Sequence, residues 1–321
     1  TMTSIVLVIV NNFYYGHNNC CFIEKNVDQM YGTVWDFRVV SIVRLITGAG
    51  HGMGRETATR FAKLGGVIVS VDINPVGNQE TVDIIRDAKG KAHRYECDVT
   101  DRDAVIAMAE KIRREVGEVT MLVNNAGIMP CKPLLNTSEK EIRAVFELNV
   151  LSHMWLLQNF LPSMMERNHG HVVAMSSMAG VVGLRNLVPY CGTKWAVRGI
   201  MEALHEDSLS LSNPQIKLTT ICPYIVDTGL CKNPRIKFPQ LMKILTPQEA
   251  ADNIVNAVRR NMSEITIPNS LYYVNWVSRL HRNRSLFFSS SSSSSAGNRP
   301  LLSIGVSSRT PLVPGIVYFL R

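Results

Sequence analysis

The chain has 321 residues, a formal net charge of +8 and a hydrophobic fraction of 46%, enough to build a sizeable core in one large α/β domain or two smaller ones. The charge does not describe a nucleic-acid-binding face, because six arginines from Arg279 onward, unaccompanied by any Asp or Glu, supply most of it; this basic tail reads as solvated or as a contact for an anionic membrane surface. Seven scattered cysteines without a CxxC pair or a ligand-like spacing to His speak against disulfides and a metal site and for a reducing, intracellular compartment, and no apolar run reaches the roughly 18–20 residues that span a bilayer.

Residues 1–40 mix Asn, Tyr, Cys and Gly without a clear period. The apolar run at 5–10 is too short for an anchor and lacks the basic flank of a signal peptide, so an atypical N-terminal extension is expected there. Between residues 41 and 282, β-rich apolar runs alternate with amphipathic stretches, the pattern of a parallel sheet with crossover helices. Strands are expected at 42–46, 67–72, 92–98, 121–124, 171–175, 216–222 and 264–267. Helices are expected at 52–64, 78–88, 102–115, 138–166, 189–211 and 247–260. Most strand segments are near-continuous apolar runs, as strands covered on both faces require. Arg44 interrupts the first of them, where an unpaired charge would be costly; either it reaches an edge or a partner, or the sequence is damaged near its first strand. Seven serines at 289–295 open a Ser-rich, basic tail over 283–321. Such a tract buries too little surface to offset ordering, so disorder is expected.

The chemistry-bearing residues fall at the strand ends. Thr47-Gly48-Ala49-Gly50-His51-Gly52-Met53-Gly54 follows the first strand and opens the first helix. Glycines there let the backbone turn tightly and approach a pyrophosphate lying at a helix N-terminus. The spacing departs from GxGxxG, and alone the loop is weak evidence. The second strand ends at Asp72, about twenty residues on, where a carboxylate accepts hydrogen bonds from adenosine ribose hydroxyls. That carboxylate also repels a 2′-phosphate, so NAD is favoured over NADP; His51 is a weak counter-signal. The fourth strand ends in Asn124-Asn125-Ala126-Gly127 and the fifth in Ser176-Ser177. Thirteen residues past Ser177 stands Tyr190-Cys191-Gly192-Thr193-Lys194. Tyr190 and Lys194 are four apart and share one helical face. A tyrosine, with an ordinary pKa of about 10, becomes a useful base beside an ammonium that favours the phenolate. Ser177 would hold a substrate oxygen near that phenol.

In this order and spacing, the TGxxxGxG, NNAG, Ser and YxxxK elements resemble the short-chain dehydrogenase/reductase family over about residues 42–280. The resemblance implies a single Rossmann-type α/β domain, doubly wound around a seven-stranded parallel sheet. It implies Tyr190 as catalytic acid/base, Lys194 on the nicotinamide ribose, Ser177 orienting the substrate and Asn149 holding a relay water. It also places Asp98 and Val99 against adenine, and Asn125, Ala126 and Gly127 against the cofactor. A homodimer formed through the helices at 138–166 and 189–211 is implied as well.

Finer features, Cys222-Pro223-Tyr224-Ile225-Val226-Asp227-Thr228-Gly229, Gly117-Glu118-Val119, His169-Gly170-His171-Val172 and Ile267-Pro268, are similar to the branch holding the epidermal retinol dehydrogenases and the lipid-droplet 17β-hydroxysteroid dehydrogenases. There Pro223, Val226 and Thr228 would meet the nicotinamide region, and the segment 229–246 would form an amphipathic lid. The branch implies a small lipophilic alcohol or ketone as substrate, such as retinol, a hydroxysteroid or a long-chain alcohol. It also implies a peripheral place on the endoplasmic reticulum or a lipid droplet. Residues 1–40 do not match the hydrophobic start usual in that branch, which leaves a cytoplasmic location open. Two rivals stand beside this reading: an NADPH-dependent carbonyl reductase, and a non-catalytic lipid-surface binding protein. The intact Asn-Ser-Tyr-Lys set speaks against the second.

Overall fold

In a computed structural model, residues 42–210, 215–230, 244–269 and 271 are described. The extension at 1–40, residues 231–243 of the lid expected at 229–246, and the tail at 283–321 lie outside the described residues. The apolar runs become strands β1 (Val43–Thr47), β2 (Val67–Asp72), β3 (Lys91–Glu96), β4 (Met121–Asn124), β5 (Gly170–Met175), β6 (Ile216–Pro223) and β7 (Glu264–Ile267). They form one parallel sheet in the order β3-β2-β1-β4-β5-β6-β7. Six longer helices connect them: α1 (Gly52–Lys63), α2 (Pro75–Asp87), α3 (Arg102–Glu115), α5 (Ser152–Glu166), α6 (Val188–Ser210) and α7 (Pro247–Arg259), with a short α4 (Glu139–Phe146) ahead of α5.

Period-two alternation of the strands splits the core between the two faces. Leu45, Val69 and Leu122 pack with Ile112 of α3, Leu156 and Phe160 of α5 and Val197 of α6. Ile46, Ile68 and Val123 pack with Phe61 of α1, Ile85 of α2 and Ile254 and Val258 of α7. The sheet is thus covered on both sides, and its order reverses between β1 and β4. In such sheets a ligand crevice opens beyond the strands' C-terminal ends at that reversal. The edge strand β3 buries Ala92 on one face and Tyr95 on the other and exposes Lys91, Arg94 and Glu96. It stops at Glu96 rather than 98, because Asp98 turns its side chain onto Thr100 N and Oγ1, 2.9 and 2.7 Å away.

Two further differences from the sequence pattern have local causes. The α2 helix begins at Pro75 rather than 78: Asn74 caps it, accepting from Val76 N and Gly77 N, and proline suits the first helical turn. The expected continuous helix over 138–166 is interrupted by a π-helical turn, Glu147–Leu151, which joins α4 to α5. Arg44 remains in the central strand, fully buried. Its guanidinium donates to the Gly65 carbonyl and lies 5.5 Å from the Phe61 ring centroid. Gly66 makes the room, since a Cβ there would come within 2.5 Å of Arg44 Nη1. Burial lowers the Arg44 pKa to about 10, so the charge persists at neutral pH.

Candidate active site

At the first strand end the backbone forms a cradle. Gly54 can only be glycine, because a Cβ there would sit 2.1 Å from the Gly48 carbonyl oxygen. The N-terminus of α1 has no side-chain cap and no acidic residue in its first turn, so its N–H groups and positive dipole end are left for an anion. Gly50 N donates to Asp72 Oδ2 at 2.8 Å, and Asn74 N donates to Oδ1 at 2.8 Å. Both carboxylate oxygens are thereby fixed at the cradle's edge. Arg55, which the sequence reading missed, braces the loop from behind: it donates to the Gly50 carbonyl and to Glu80 Oε2 at 2.7 Å. Met53, partly buried, packs its side chain against the core below. His51 is exposed, and its Nε2 lies 2.9 Å from the Thr228 carbonyl oxygen, tying the loop to the segment after β6. Val99 is buried in the core while Asp98 is exposed beside it.

The β1 and β4 ends are joined by Thr47, whose hydroxyl accepts from Asn125 N and Ala126 N, each at 3.1 Å. Asn125 turns its carboxamide inward, donating to Thr47 O at 2.8 Å, so its part is to hold the loop. Asn149 is fully buried in the π turn. Its Oδ1 accepts from Ile128 N at 2.9 Å, and its Nδ2 donates to Ile128 O at 3.0 Å and Thr193 Oγ1 at 3.1 Å. A Cβ on Gly127 would lie 3.1 Å from Asn149 Oδ1 and 3.7 Å from Lys194 Nζ, which shows how closely these groups converge.

Ser177 follows β5 and opens a short 3-10 turn, with its hydroxyl accepting from Ala179 N at 3.1 Å. That turn seats on α6: Ser176 Oγ donates to Lys194 O at 2.9 Å, and Ala179 packs against Tyr190. Lys194 is buried and points at the ring of Tyr190, its Nζ 5.6 Å from the centroid, while donating to Met175 O at 2.8 Å. Burial lowers the Lys194 pKa to about 8. Ser177, Tyr190, Lys194 and Asn149 therefore share the rim of the sheet beside the Gly127 backbone.

Pro223 ends β6, its carbonyl 3.5 Å from Ser177 Oγ. Val226 is buried and bridges to Leu245, with Leu245 N donating to Ile225 O at 3.0 Å. This bridge pins together the two stems of the expected lid. Thr228 faces the glycine loop from the first stem. Thr47 and Thr193 stand inside the sequence motifs without a role assigned there, and Arg55 stands outside them; all three support the site from behind. Hydroxyls at a strand end and on the YxxxK helix were the available signals. Among the described residues no His/Cys/Asp/Glu group could hold a metal, and the described cysteines are unpaired.

The family model described as short chain dehydrogenase matches residues 42–237. Short-chain dehydrogenase/reductase family 16C member 6 of Bos taurus is 40% identical over 231 residues, covering 72% of this chain and 73% of that protein. Epidermal retinol dehydrogenase 2 of Homo sapiens is 37% identical, with 74% and 77% covered. The 17-beta-hydroxysteroid dehydrogenase 13 of Homo sapiens is 38% identical, with 76% and 79% covered. Among solved structures, a short-chain dehydrogenase/reductase from Burkholderia phymatum in complex with NAD superposes with a TM-score of 0.68 at 26% identity, over 83% of this chain and all of that one. A metagenomic short-chain oxidoreductase in complex with NADP shares the fold, with a TM-score of 0.60 at 24% identity, over 70% of this chain and 96% of that one.

Proposed function

The chain belongs to the short-chain dehydrogenase family, in the branch of its retinol and hydroxysteroid dehydrogenase relatives, and from that premise we propose that it is an NAD-preferring alcohol dehydrogenase acting on a lipophilic substrate. The observation that carries the proposal is the buried Lys194 ammonium set against the ring of Tyr190 at the sheet's C-terminal rim. An uncapped helix start, a loop closed to any Cβ at Gly54 and a fixed carboxylate at Asp72 fit a dinucleotide without a 2′-phosphate. Gly48, Gly50, Gly52 and Gly54 would hold the pyrophosphate, Asp72 the adenosine ribose and Asp98 the adenine side. Gly127, Lys194, Pro223 and Thr228 would hold the nicotinamide half. When bound, NAD supplies the hydride acceptor.

The chain's own residues then handle the proton and the orientation. Ser177 Oγ donates to the substrate oxygen and holds it at the rim. Tyr190 accepts the hydroxyl proton in oxidation and returns it in reduction, the Lys194 charge favouring its phenolate. Asn149 ties the Gly127–Ile128 backbone to α6 through Thr193, which keeps the loop from drifting away from Lys194. Oxidation is the direction favoured by an NAD site.

For the substrate, support comes from the names of the relatives and from exposed apolar side chains on the C-terminal side of the sheet. Leu134 and Leu135 stand on the loop after β4, Leu184 on the loop after β5, and Leu230 and Ile244 on the lid stems. Retinol, a hydroxysteroid or a long-chain alcohol would suit such a rim. Phe146, Met154 and Trp195, exposed on α4, α5 and α6, suit a homodimer face. A peripheral place at the endoplasmic reticulum or a lipid droplet agrees with a lipid-soluble substrate; among the described residues no helix is long and apolar enough to cross a membrane.

The test is the initial rate of NADH formation with each of the three alcohol classes, beside Tyr190→Phe. NAD-linked turnover that disappears in the variant is expected. Binding of NADH without turnover on any of them would instead favour a lipid-surface binding protein.

A further inference from the structure

One turn beyond Lys194 on α6 stands a cation that the chemistry above does not use. Arg198 follows Lys194 by four residues. Its Nε and Nη2 donate to Glu264 Oε2 and Oε1, each at 2.8 Å, the paired bonds that fit a planar guanidinium to a carboxylate. Its Cζ lies 5.6 Å from the ring centroid of Trp195. Glu264 opens β7, which is paired with β6. With two nitrogens engaged, the guanidinium plane has little freedom to turn. Its remaining nitrogen, Nη1, donates to the Gly180 carbonyl at 2.8 Å.

Gly180 ends the 3-10 turn that Ser177 opens, and Gly180 N donates to Ser177 O at 2.8 Å. The turn lies so close on α6 that a Cβ at Gly180 would stand 2.5 Å from Lys194 O and 2.5 Å from Ser176 Oγ. Two bonds fasten it there, Ser176 Oγ to Lys194 O before Ser177 and Arg198 Nη1 to Gly180 O after it. The first joins neutral groups. The second is charge-assisted, and its donor and the carboxylate behind it are only 25% and 24% exposed, so it is the stronger of the two.

We propose that Arg198 is a positioning residue for Ser177: braced by Glu264 on β7, it holds the 3-10 turn against α6 and so fixes where the Ser177 hydroxyl stands relative to Tyr190 and Lys194. The inference rests on the roles proposed above for those three residues. Arg198 acts on the reaction through the turn and the serine, not by contact with the reacting atoms.

The experiment has two arms, both on the full chain, with Arg198→Met beside the parent. The first is amide hydrogen exchange. The N–H groups of residues 179–182 are all hydrogen-bonded within the turn, and in the variant they should exchange about tenfold faster or more, while those of β1 and β4 keep their rates. Unchanged rates in the turn, or one uniform acceleration through the whole sheet, overturn the inference whatever the protein does with alcohols. The second arm is kcat with NAD and whichever of retinol, a hydroxysteroid or a long-chain alcohol the parent turns over. It should fall about tenfold in Arg198→Met with KM for NAD constant. The same substitution made in Ser177→Ala should change kcat by less than about twofold, because the serine through which it acts is already gone. Equal falls in the two backgrounds, or none in either, overturn the inference. A parent that turns over none of the alcohols overturns the catalytic reading instead and leaves hydrogen exchange to decide this one. Should Arg198→Met fail to fold by circular dichroism, because it strands the Glu264 carboxylate, the double variant Arg198→Met/Glu264→Leu removes both charges together and takes its place, with the same outcomes.

Discussion

Asp72 shows how a single side chain acquires a purpose from its surroundings. Two backbone N–H groups, from Gly50 and Asn74, fix its oxygens at the edge of the glycine cradle. A carboxylate so held cannot turn away from a ligand phosphate. Two like charges about 4 Å apart at an effective dielectric near 20 repel by about 4 kcal/mol per unit charge. Replacing Asp72→Ala should therefore raise kcat/KM for NADP relative to NAD by at least about tenfold, or about 1.4 kcal/mol. Initial rates with the two cofactors check this, and an unchanged ratio would remove Asp72 from cofactor selection. The carboxylate was legible in the sequence because it ends an apolar run at the right distance from the glycines. Arg55 was not, since its role depends on the meeting of Gly50, Gly77 and Glu80 around one guanidinium, and no local pattern records that meeting.

At the scale of elements, the π turn between α4 and α5 does what a regular helix would not. It carries Asn149 inward, where one carboxamide meets both the N–H and the carbonyl of Ile128 and the hydroxyl of Thr193. Thr193 in turn donates to Tyr190 O at 2.7 Å, so the loop after β4 and the helix α6 that carries Tyr190 and Lys194 are coupled through one side chain. Truncation by Asn149→Ala leaves the Ile128 groups without that partner. Because Ile128 is part-exposed, water meets some of the loss, and a stability decrease of about 1–3 kcal/mol is expected. Chemical denaturation would measure it; a loss below about 0.5 kcal/mol, the scale of ordinary surface changes, would contradict the clamp. The sequence gives no warning of the π turn, because one widened turn hardly disturbs the apolar periodicity from Ser138 to Glu166. The strands were legible for the opposite reason: burial on both faces writes each as an uninterrupted apolar run. Arg44 broke that pattern because its partner, the Gly65 carbonyl, sits in the turn after α1, a contact that only the folded chain makes.

For the whole molecule, the sheet and its covering helices take two histidines out of water. His171 on β5 is 2% exposed and places Nε2 2.8 Å from Thr219 Oγ1 on β6; His153 lies in α5. Burial pushes both down to about 3 from an ordinary 6.5. The unfolded chain thus takes up protons near pH 6.5 that the folded chain refuses until near pH 3. Stability is therefore fully present above about pH 6.5 and declines as the pH falls through the interval below it. At pH 5 the cost is about 2 kcal/mol for each histidine, about 4 kcal/mol together. Glu141 works in a lower window. Lys132 and Ser138 hold its carboxyl down to about 2, so its contribution is lost only as the pH falls below its ordinary 4.5. Unfolding free energies at pH 7.5 and pH 5 separate the two effects. His171→Gln, which keeps a polar group for Thr219, should shrink the drop between these conditions by about 2 kcal/mol. An equal drop in parent and variant would mean that His171 takes up its proton in the folded sheet, and that the β5–β6 interior is wetter than its burial implies.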